Sequence, residues 1–306
     1  MKNIILDVDT GIDDALAIAY AANSPELNIL GITTTFGNTS VPGATRNTLD
    51  LLQVLGADDI PVFPGAEKTF AGHEPADRAT WIHGENGIGE AVLPAADKQA
   101  GDMPAHDFII SAVHEHPNDM SILTTANLGN LARAIEKDPE IVQLVTDVIV
   151  MGGAVTVPGN ITPYAEANIY HDAEAAQFVF QSGIPMTLVG LDVTLKTLLK
   201  RSVIDEWKEK DTLLSRSLAH MCGFYMDAYA KENPKLNGCP LHDPLTVGAA
   251  INPGFVKTKP MAVHVKTESK EKGQTIGEET ENGHIKVCLD VDSGRFVSHF
   301  LKRVVS

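Results

Sequence analysis

Short apolar runs separated by amphipathic stretches recur along most of the chain. Asn3–Leu6, Asn28–Thr33, Ile122–Thr124, Val148–Met151 and Met186–Val189 are brief and nearly continuous in hydrophobicity, which predicts buried strands. Between them, Asp14–Ala22, Thr45–Leu55, Asn127–Lys137 and Ala173–Gln181 carry apolar residues at helical spacing. Strand, helix and strand in repeated alternation predict an α/β fold, with a mostly parallel, Rossmann-like open sheet flanked by helices. In such sheets ligands bind beyond the carboxyl ends of the strands. From about residue 193 to 251 the pattern is mainly helical, clearest over Ser215–Ala230. Val263–Lys266 and His284–Leu289 then read as strands around a polar stretch, Thr267–Gly283, which predicts a small antiparallel excursion ending in a solvated hairpin or loop. Asp292–Lys302 is expected to close the chain as a helix. The segment Pro64–Met103 has little periodicity and much Gly, Pro and charge, and connections of that length are often functional. Neither a repeat nor a break in composition divides the 306 residues, so a single domain over 1–306 is expected.

Charge narrows the range of partners. Forty acidic against 24 basic residues give a net charge of −16, which argues against nucleic acid held by phosphate contacts. Cys222, Cys239 and Cys288 are odd in number and lack metal-ligand spacing, as expected of reduced thiols in a cytoplasmic protein. The run Ile4–Leu6 is closed at once by Asp7 and is too short for a signal peptide. No apolar stretch approaches the ~20 residues of a membrane span, so no membrane partner is expected.

Asp7, Asp9, Asp13 and Asp14 fall within eight residues, between an apolar run and a helical one. That places them on a strand-to-helix turn, with Gly11 allowing the bend. Capping explains Asp13 or Asp14 alone, because a helix N-terminus favours negative charge. It does not explain all four, since crowded carboxylates repel unless a cation neutralises them. Oxygen ligands in an irregular turn suit calcium, or failing that magnesium. The same opening admits a rival, because haloacid dehalogenase-like phosphatases also follow a first strand with two Asp separated by one residue and use magnesium. Their usual Thr four positions after the first Asp is Gly11 here, and the Asp13-Asp14 pair has no place in that pattern.

Two further stretches carry polar groups. Val150–Ala154 (V-M-G-G-A), Pro158–Pro163 (P-G-N-I-T-P) and Ala165–Ile169 (A-E-A-N-I) place amides and a carboxylate after a strand end, where they can grip vicinal hydroxyls. Leu241–Leu245 (L-H-D-P-L) adds a His-Asp pair that is weak evidence in isolation.

Together these motifs resemble the inosine–uridine-preferring nucleoside hydrolase family. The opening D-V-D-T-G-I-D-D-A-L-A, F-G-N at Phe36–Asn38, H-G-x-x-G-I-G at His83–Gly89, M-G-G-A-V, P-G-N-I-T-P, E-x-N-I, L-D-V-T at Leu191–Thr194 and L-H-D-P occur in the family's order, from Ile4 to about Ile251. The resemblance implies Ca2+ held by Asp9, Asp14 and Asp243 with a main-chain carbonyl that aligns with Gly129, where the family usually carries Thr. It implies that Asp9 is general base, and that Asp13, Asn38, Met151, Asn160, Glu166 and Asn168 bind substrate. His83 and His242 match positions near the base, and His242 is a candidate acid for the leaving group. Ala167 departs from the Phe common in the family, which widens or alters the sugar pocket. The other histidines, His171 among them, are expected at the surface or in structural roles. Phe70, Trp81, Phe224, Tyr225 and Tyr229 are candidates for the wall of the base site. The activity so implied is calcium-dependent hydrolysis of the N-glycosidic bond of ribonucleosides, with pyrimidine or broad specificity, by a homodimer or homotetramer. A calcium- and ribonucleoside-binding protein without turnover is the alternative from another class.

Overall fold

The structure, a computed structural model, describes every residue except Asp77, Asn233, Lys235 and Ser306, and the side chain of Glu232. The first half of the chain runs β1 (Lys2–Val8), α1 (Ile12–Ala22), β2 (Leu27–Thr34), α2 (Val41–Leu55), β3 (Val62–Pro64), α3 (Thr80–His83), α4 (Ala105–Glu115), β4 (Met120–Thr124), α5 (Gly129–Lys137), α6 (Ile141–Leu144) and β5 (Asp147–Met151). It continues through α7 (Ala167–His171), α8 (Ala173–Gln181), β6 (Met186–Val189), α9 (Leu191–Thr194), β7 (Leu198–Lys200), α10 (Ser202–Glu209), α11 (Leu213–Glu232), β8 (Gly238–Pro240) and α12 (His242–Ile251). Strands β9 (Val256–Val265), β10 (Thr275–Glu279) and β11 (Ile285–Val291) and helix α13 (Ser293–Leu301) complete it.

Nine strands form one sheet in the order β10-β9-β11-β6-β5-β4-β1-β2-β3. Every pairing from β11 through β3 is parallel, whereas β9 and β10 add to β11 antiparallel. Side chains alternate across each strand. On β1, Ile4, Leu6 and Val8 therefore enter one core with Leu16, Leu245 and Phe296, and Ile5 enters the other with Ile122, Val148 and Phe180. Helix α1 is buried from Ile12 to Ala21, which accounts for its nearly unbroken apolar sequence. Helix α2 begins at Ser40, whose Oγ accepts from the Gly43 N–H, and ends at Gly56 in the left-handed region (φ 66°), the usual reason for glycine at a helix end.

The chain builds β2 and β3 to one side of β1, then returns to build β4, β5 and β6 on the other. The carboxyl ends of β1 and β4 thus flank the point where the winding reverses, where a crevice opens in sheets of this kind. The alternation of elements is as the sequence predicts, and two regions differ from expectation. The polar stretch Thr267–Gly283 contains β10, hydrogen-bonded along β9, and its first residue Thr275 is 3% exposed. Only one face of this edge strand is covered, so its composition stays polar. Within the mainly helical region, β7 and β8 pair antiparallel as a separate two-stranded sheet. Among the described residues no helix is long and apolar enough to cross a membrane.

Candidate active site

Asp9 lies just past the end of β1, and Asp13 and Asp14 lie in the first turn of α1. Asp243 is the second residue of α12. Asp9 and Asp14 are wholly buried, and Asp13 and Asp243 are 6% and 2% exposed. Carboxylate oxygens of Asp13, Asp14 and Asp243 lie within 4.8 Å of one another. Asp9 joins them through Asn38, whose Nδ2 donates to Asp9 Oδ1 and Asp14 Oδ2 at 3.1 Å each, while the Asn38 N–H donates to Asp9 Oδ2 at 2.7 Å. Asp14 also accepts from the Gly11 N–H (2.8 Å) and Thr125 Oγ1 (2.7 Å), and Asp13 accepts from the Tyr225 hydroxyl (3.1 Å). Burial, and then mutual repulsion, push Asp9 and Asp243 well above the usual carboxylate range. Asp14 rises for the same reasons, and burial lifts Asp13 to about 6 against the pull of Tyr225.

This nest has a shortage of positive charge. Neither Lys nor Arg lines the crevice above it among the described residues, and Asp13 Oδ1 is buried without a hydrogen-bond partner. Hard, crowded oxygens with an unsatisfied acceptor match the donor set of a hard divalent cation. The closest three are Asp13, Asp14 and Asp243, whereas Asp9, expected among the ligands, turns its oxygens to Asn38. Gly129 does not line the crevice. It opens α5 with its N–H on Asn127 Oδ1. The residue of the connection from β4 to α5 in contact with the carboxylates is Thr125.

The crevice encloses about 670 Å3, and Asp13, Asn38, His83, Met151, Asn160, Glu166, Asn168, His242 and Asp243 all face it. Glu166 caps α7: its two oxygens accept from the N–H groups of Gly153 (2.9 Å), Asn168 (2.9 Å) and Ile169 (3.2 Å), yet burial still raises it to about 7. Asn168 Nδ2 donates to the carbonyls of Thr125 (2.9 Å) and Met151 (3.2 Å), and Asn160 Oδ1 accepts from the Ala167 N–H (3.0 Å). The loop that follows β5 is held from outside the crevice. Asp192 accepts from the N–H groups of Val155 (3.0 Å) and Thr156 (2.7 Å), and Thr275 Oγ1 accepts from that of Ala154 (2.8 Å).

At the opposite wall, His242 is bonded at both ring nitrogens, Nδ1 to Thr194 Oγ1 (2.8 Å) and Nε2 to the Tyr229 hydroxyl (2.9 Å). Burial depresses His242 to about 3 and His83 to about 4, so both are neutral imidazoles near pH 7. Tyr225 stands between them, 5.2 Å from the His83 ring and 5.0 Å from Tyr229. Of the aromatic candidates, Trp81, Tyr225 and Tyr229 line the crevice and Phe70 and Phe224 do not. The sequence alone missed Thr125, Asp192, Thr275 and His171. His171 is 7% exposed and faces the crevice instead of lying on the surface or in a structural role. Of the four, His171 stands three residues after Asn168 on one helical face, and Asp192 lies within the L-D-V-T stretch.

Buried carboxylates, amides and histidines over the carboxyl ends of a parallel sheet form an enclosed polar site of the kind that enzymes of this fold class use for small hydroxylated ligands. The chain belongs to the inosine-uridine preferring nucleoside hydrolase family, whose model matches residues 4–298, and it is therefore an N-glycosidase. It is 38% identical over 275 residues to uridine nucleosidase 1 of Arabidopsis thaliana, covering 90% of this chain and 81% of that protein. The pyrimidine-specific ribonucleoside hydrolase RihA of Citrobacter koseri is 33% identical over 306 residues, 98% of this chain and 97% of its own. Among solved structures, the purine-preferring ribonucleoside hydrolase from Gardnerella vaginalis superposes with a TM-score of 0.96 at 39% identity, over 99% of this chain and 98% of that one. Membership of this metal-dependent family displaces the phosphatase reading.

Proposed function

We propose that the protein hydrolyses the N-glycosidic bond of ribonucleosides to ribose and free base in a calcium-dependent reaction, with pyrimidine or broad base specificity. The observation that carries this reading is the nest of Asp9, Asp13, Asp14 and Asp243, buried with neither Lys nor Arg on the crevice wall among the described residues. Asp9, Asp14 and Asp243, with Asp13 beside them, would hold the cation; Thr125 rather than Gly129 is the neighbour from the β4 connection. A divalent ion there supplies Lewis acidity toward a water and toward the sugar's vicinal hydroxyls.

Asp9 takes a proton from the attacking water; its raised affinity for protons suits a base, and such help is typically worth ~10²–10⁴-fold. As the bond to C1′ breaks, the sugar gains oxocarbenium character. The surrounding carboxylates stabilise that charge more than they stabilise neutral substrate, and the difference lowers the barrier. Asn168, Asn160, Glu166 and Met151 orient the sugar. His242 is the candidate acid for the departing base, and with both ring nitrogens bonded within the protein it reaches that base through the Tyr229 hydroxyl on its Nε2. The names of the relatives span uridine, pyrimidine and purine preference, which supports a base wall that tolerates more than one ring size. Three free, buried cysteines agree with a reducing cytoplasm, and we propose a homodimer or homotetramer there.

The test is incubation with inosine, adenosine, guanosine, uridine and cytidine, with and without a calcium chelator and with and without phosphate. Base and reducing sugar released without phosphate, and lost on chelation, are the expected result. Binding of nucleosides without release of either product would overturn the reading in favour of a binding protein.

A further inference from the structure

Helix α9 is a single turn, yet it is bonded to both walls of the crevice. Its Leu191 and Val193 are wholly buried, and the Leu191 N–H donates to the Gly153 carbonyl at 2.9 Å. Asp192 holds the loop after β5 through the N–H groups of Val155 and Thr156. Thr194, also wholly buried, turns to the opposite wall, where its Oγ1 lies 2.8 Å from His242 Nδ1. Thr194 therefore reaches the imidazole from a fixed element rather than from a free loop.

The direction of that bond follows from the partners available. A hydroxyl carries one proton and has to place it. Among the described residues, His242 Nδ1 is the one partner of Thr194 Oγ1. Were the ring to donate, the Thr194 proton would be buried without an acceptor, a cost that folded chains seldom bear. Thr194 thus donates to Nδ1, and an uncharged ring then carries its single proton on Nε2. Nε2 lies 2.9 Å from the Tyr229 hydroxyl and donates to it. Tyr225, with its ring 5.0 Å from that of Tyr229, gives its own proton to Asp13 Oδ2 and so does not compete as a donor. The Tyr229 proton is left over, on a side chain that lines the crevice. His83 shows the same polarity. The Ile12 N–H can only donate, and it lies 3.2 Å from His83 Nδ1, which puts the His83 proton on Nε2. Both imidazoles of this wall are backed by donors and end in donors.

We propose that Thr194 is a positioning residue that sets the direction of the chain Thr194–His242–Tyr229, so that the crevice meets the departing base with a hydrogen-bond donor. This rests on the hydrolase reading above. When the bond from C1′ to the base breaks, its electron pair stays with the base. The Tyr229 O–H, with the oriented ring behind it, meets that negative charge where it develops. No proton leaves Thr194. A leaving group that already carries negative charge well has little need of the chain.

The experiment compares wild type, Thr194→Val, Thr194→Ser, His242→Ala and the double variant Thr194→Val with His242→Ala, calcium being supplied. The substrates are a ribonucleoside and p-nitrophenyl ribofuranoside, whose nitrophenolate leaves without help. Thr194→Val keeps the shape and removes the donor. It should lower kcat on the ribonucleoside about tenfold or more with KM within about threefold, yet change cleavage of the nitrophenyl riboside less than about threefold. Thr194→Ser should recover most of the loss. In the His242→Ala background Thr194→Val should cost nothing further, because the two side chains act as one unit. Equal losses on both substrates, or additive losses in the double variant, would overturn the proposal in favour of packing alone. Nitrogen NMR spectra of wild type labelled at its histidine rings, with His242 assigned by its absence from His242→Ala, need neither turnover nor a folded Thr194 variant. A proton on Nε2 of His242 supports the direction of the chain, and a proton on Nδ1 overturns it. Cleavage of neither substrate by wild type would overturn the hydrolase reading instead, and the nitrogen spectra would still decide how the chain is directed.

Discussion

Asp9 and Glu166 are both buried carboxylates, but their surroundings suit them to different work. Glu166 spends its oxygens on three main-chain N–H groups and so fixes the turn into α7. Asp9 is held by Asn38, at one N–H and one amide, and faces like charges. Replacing Asp9 by Ala should therefore lower kcat by ~10²–10⁴-fold while ribonucleosides still bind in dialysis; unchanged cleavage would remove Asp9 as the base. Crowding here extends to the backbone, since a Cβ on Gly37 would stand 1.8 Å from Asp9 Oδ2. The Asp7–Asp14 run was legible in the sequence because its residues are contiguous and their turn is set by local pattern. The contacts of Thr125 with Asp14 and of Tyr225 with Asp13 were not, because they span 111 and 212 residues.

Among the elements, β10 changes the picture most. Its sequence reads as a solvated hairpin, yet Thr275 at its start accepts from the Ala154 N–H, and Gln274 bridges to Ala165. The loop after β5 is thereby gripped by an element more than a hundred residues later in the chain. Thr275→Val keeps the shape but leaves a buried N–H unpaired, which costs about 1–3 kcal/mol. The expected outcome is a several-fold rise in KM for ribonucleosides with little change in kcat, and recovery in Thr275→Ser; equal kinetics in all three proteins would deny the strand that role. Central strands were legible because burial on both faces makes them continuously apolar. An edge strand with one covered face offers no such signal, so β10 was legible only as part of an antiparallel hairpin, and β7 and β8 are three residues each.

At the scale of the molecule, the four carboxylates make folding and metal binding one equilibrium. Bringing them together without a cation is unfavourable, so an ion that binds only the native state stabilises it by mass action. At 100 times its Kd a ligand contributes about 2.7 kcal/mol. For a chain of this size, chelation should lower Tm by roughly 5 °C, and returning calcium should restore it. Identical melting with and without chelator would mean that no such ion is bound by the fold.

The arrangement of the sheet also has a consequence for how copies of the chain can meet. A nine-stranded sheet has two margins, and unpaired margins invite strand addition and fibre growth. One margin is β3, only three residues long, closing at Pro64, with the Val62 carbonyl taken by the Gly101 N–H. The other is β10, where Ile276 is followed by Gly277, Glu278 and Glu279. Brevity and proline guard the first edge and charge guards the second. Contact between copies through the sheet margins is thereby disfavoured, and open-ended growth by strand addition with it.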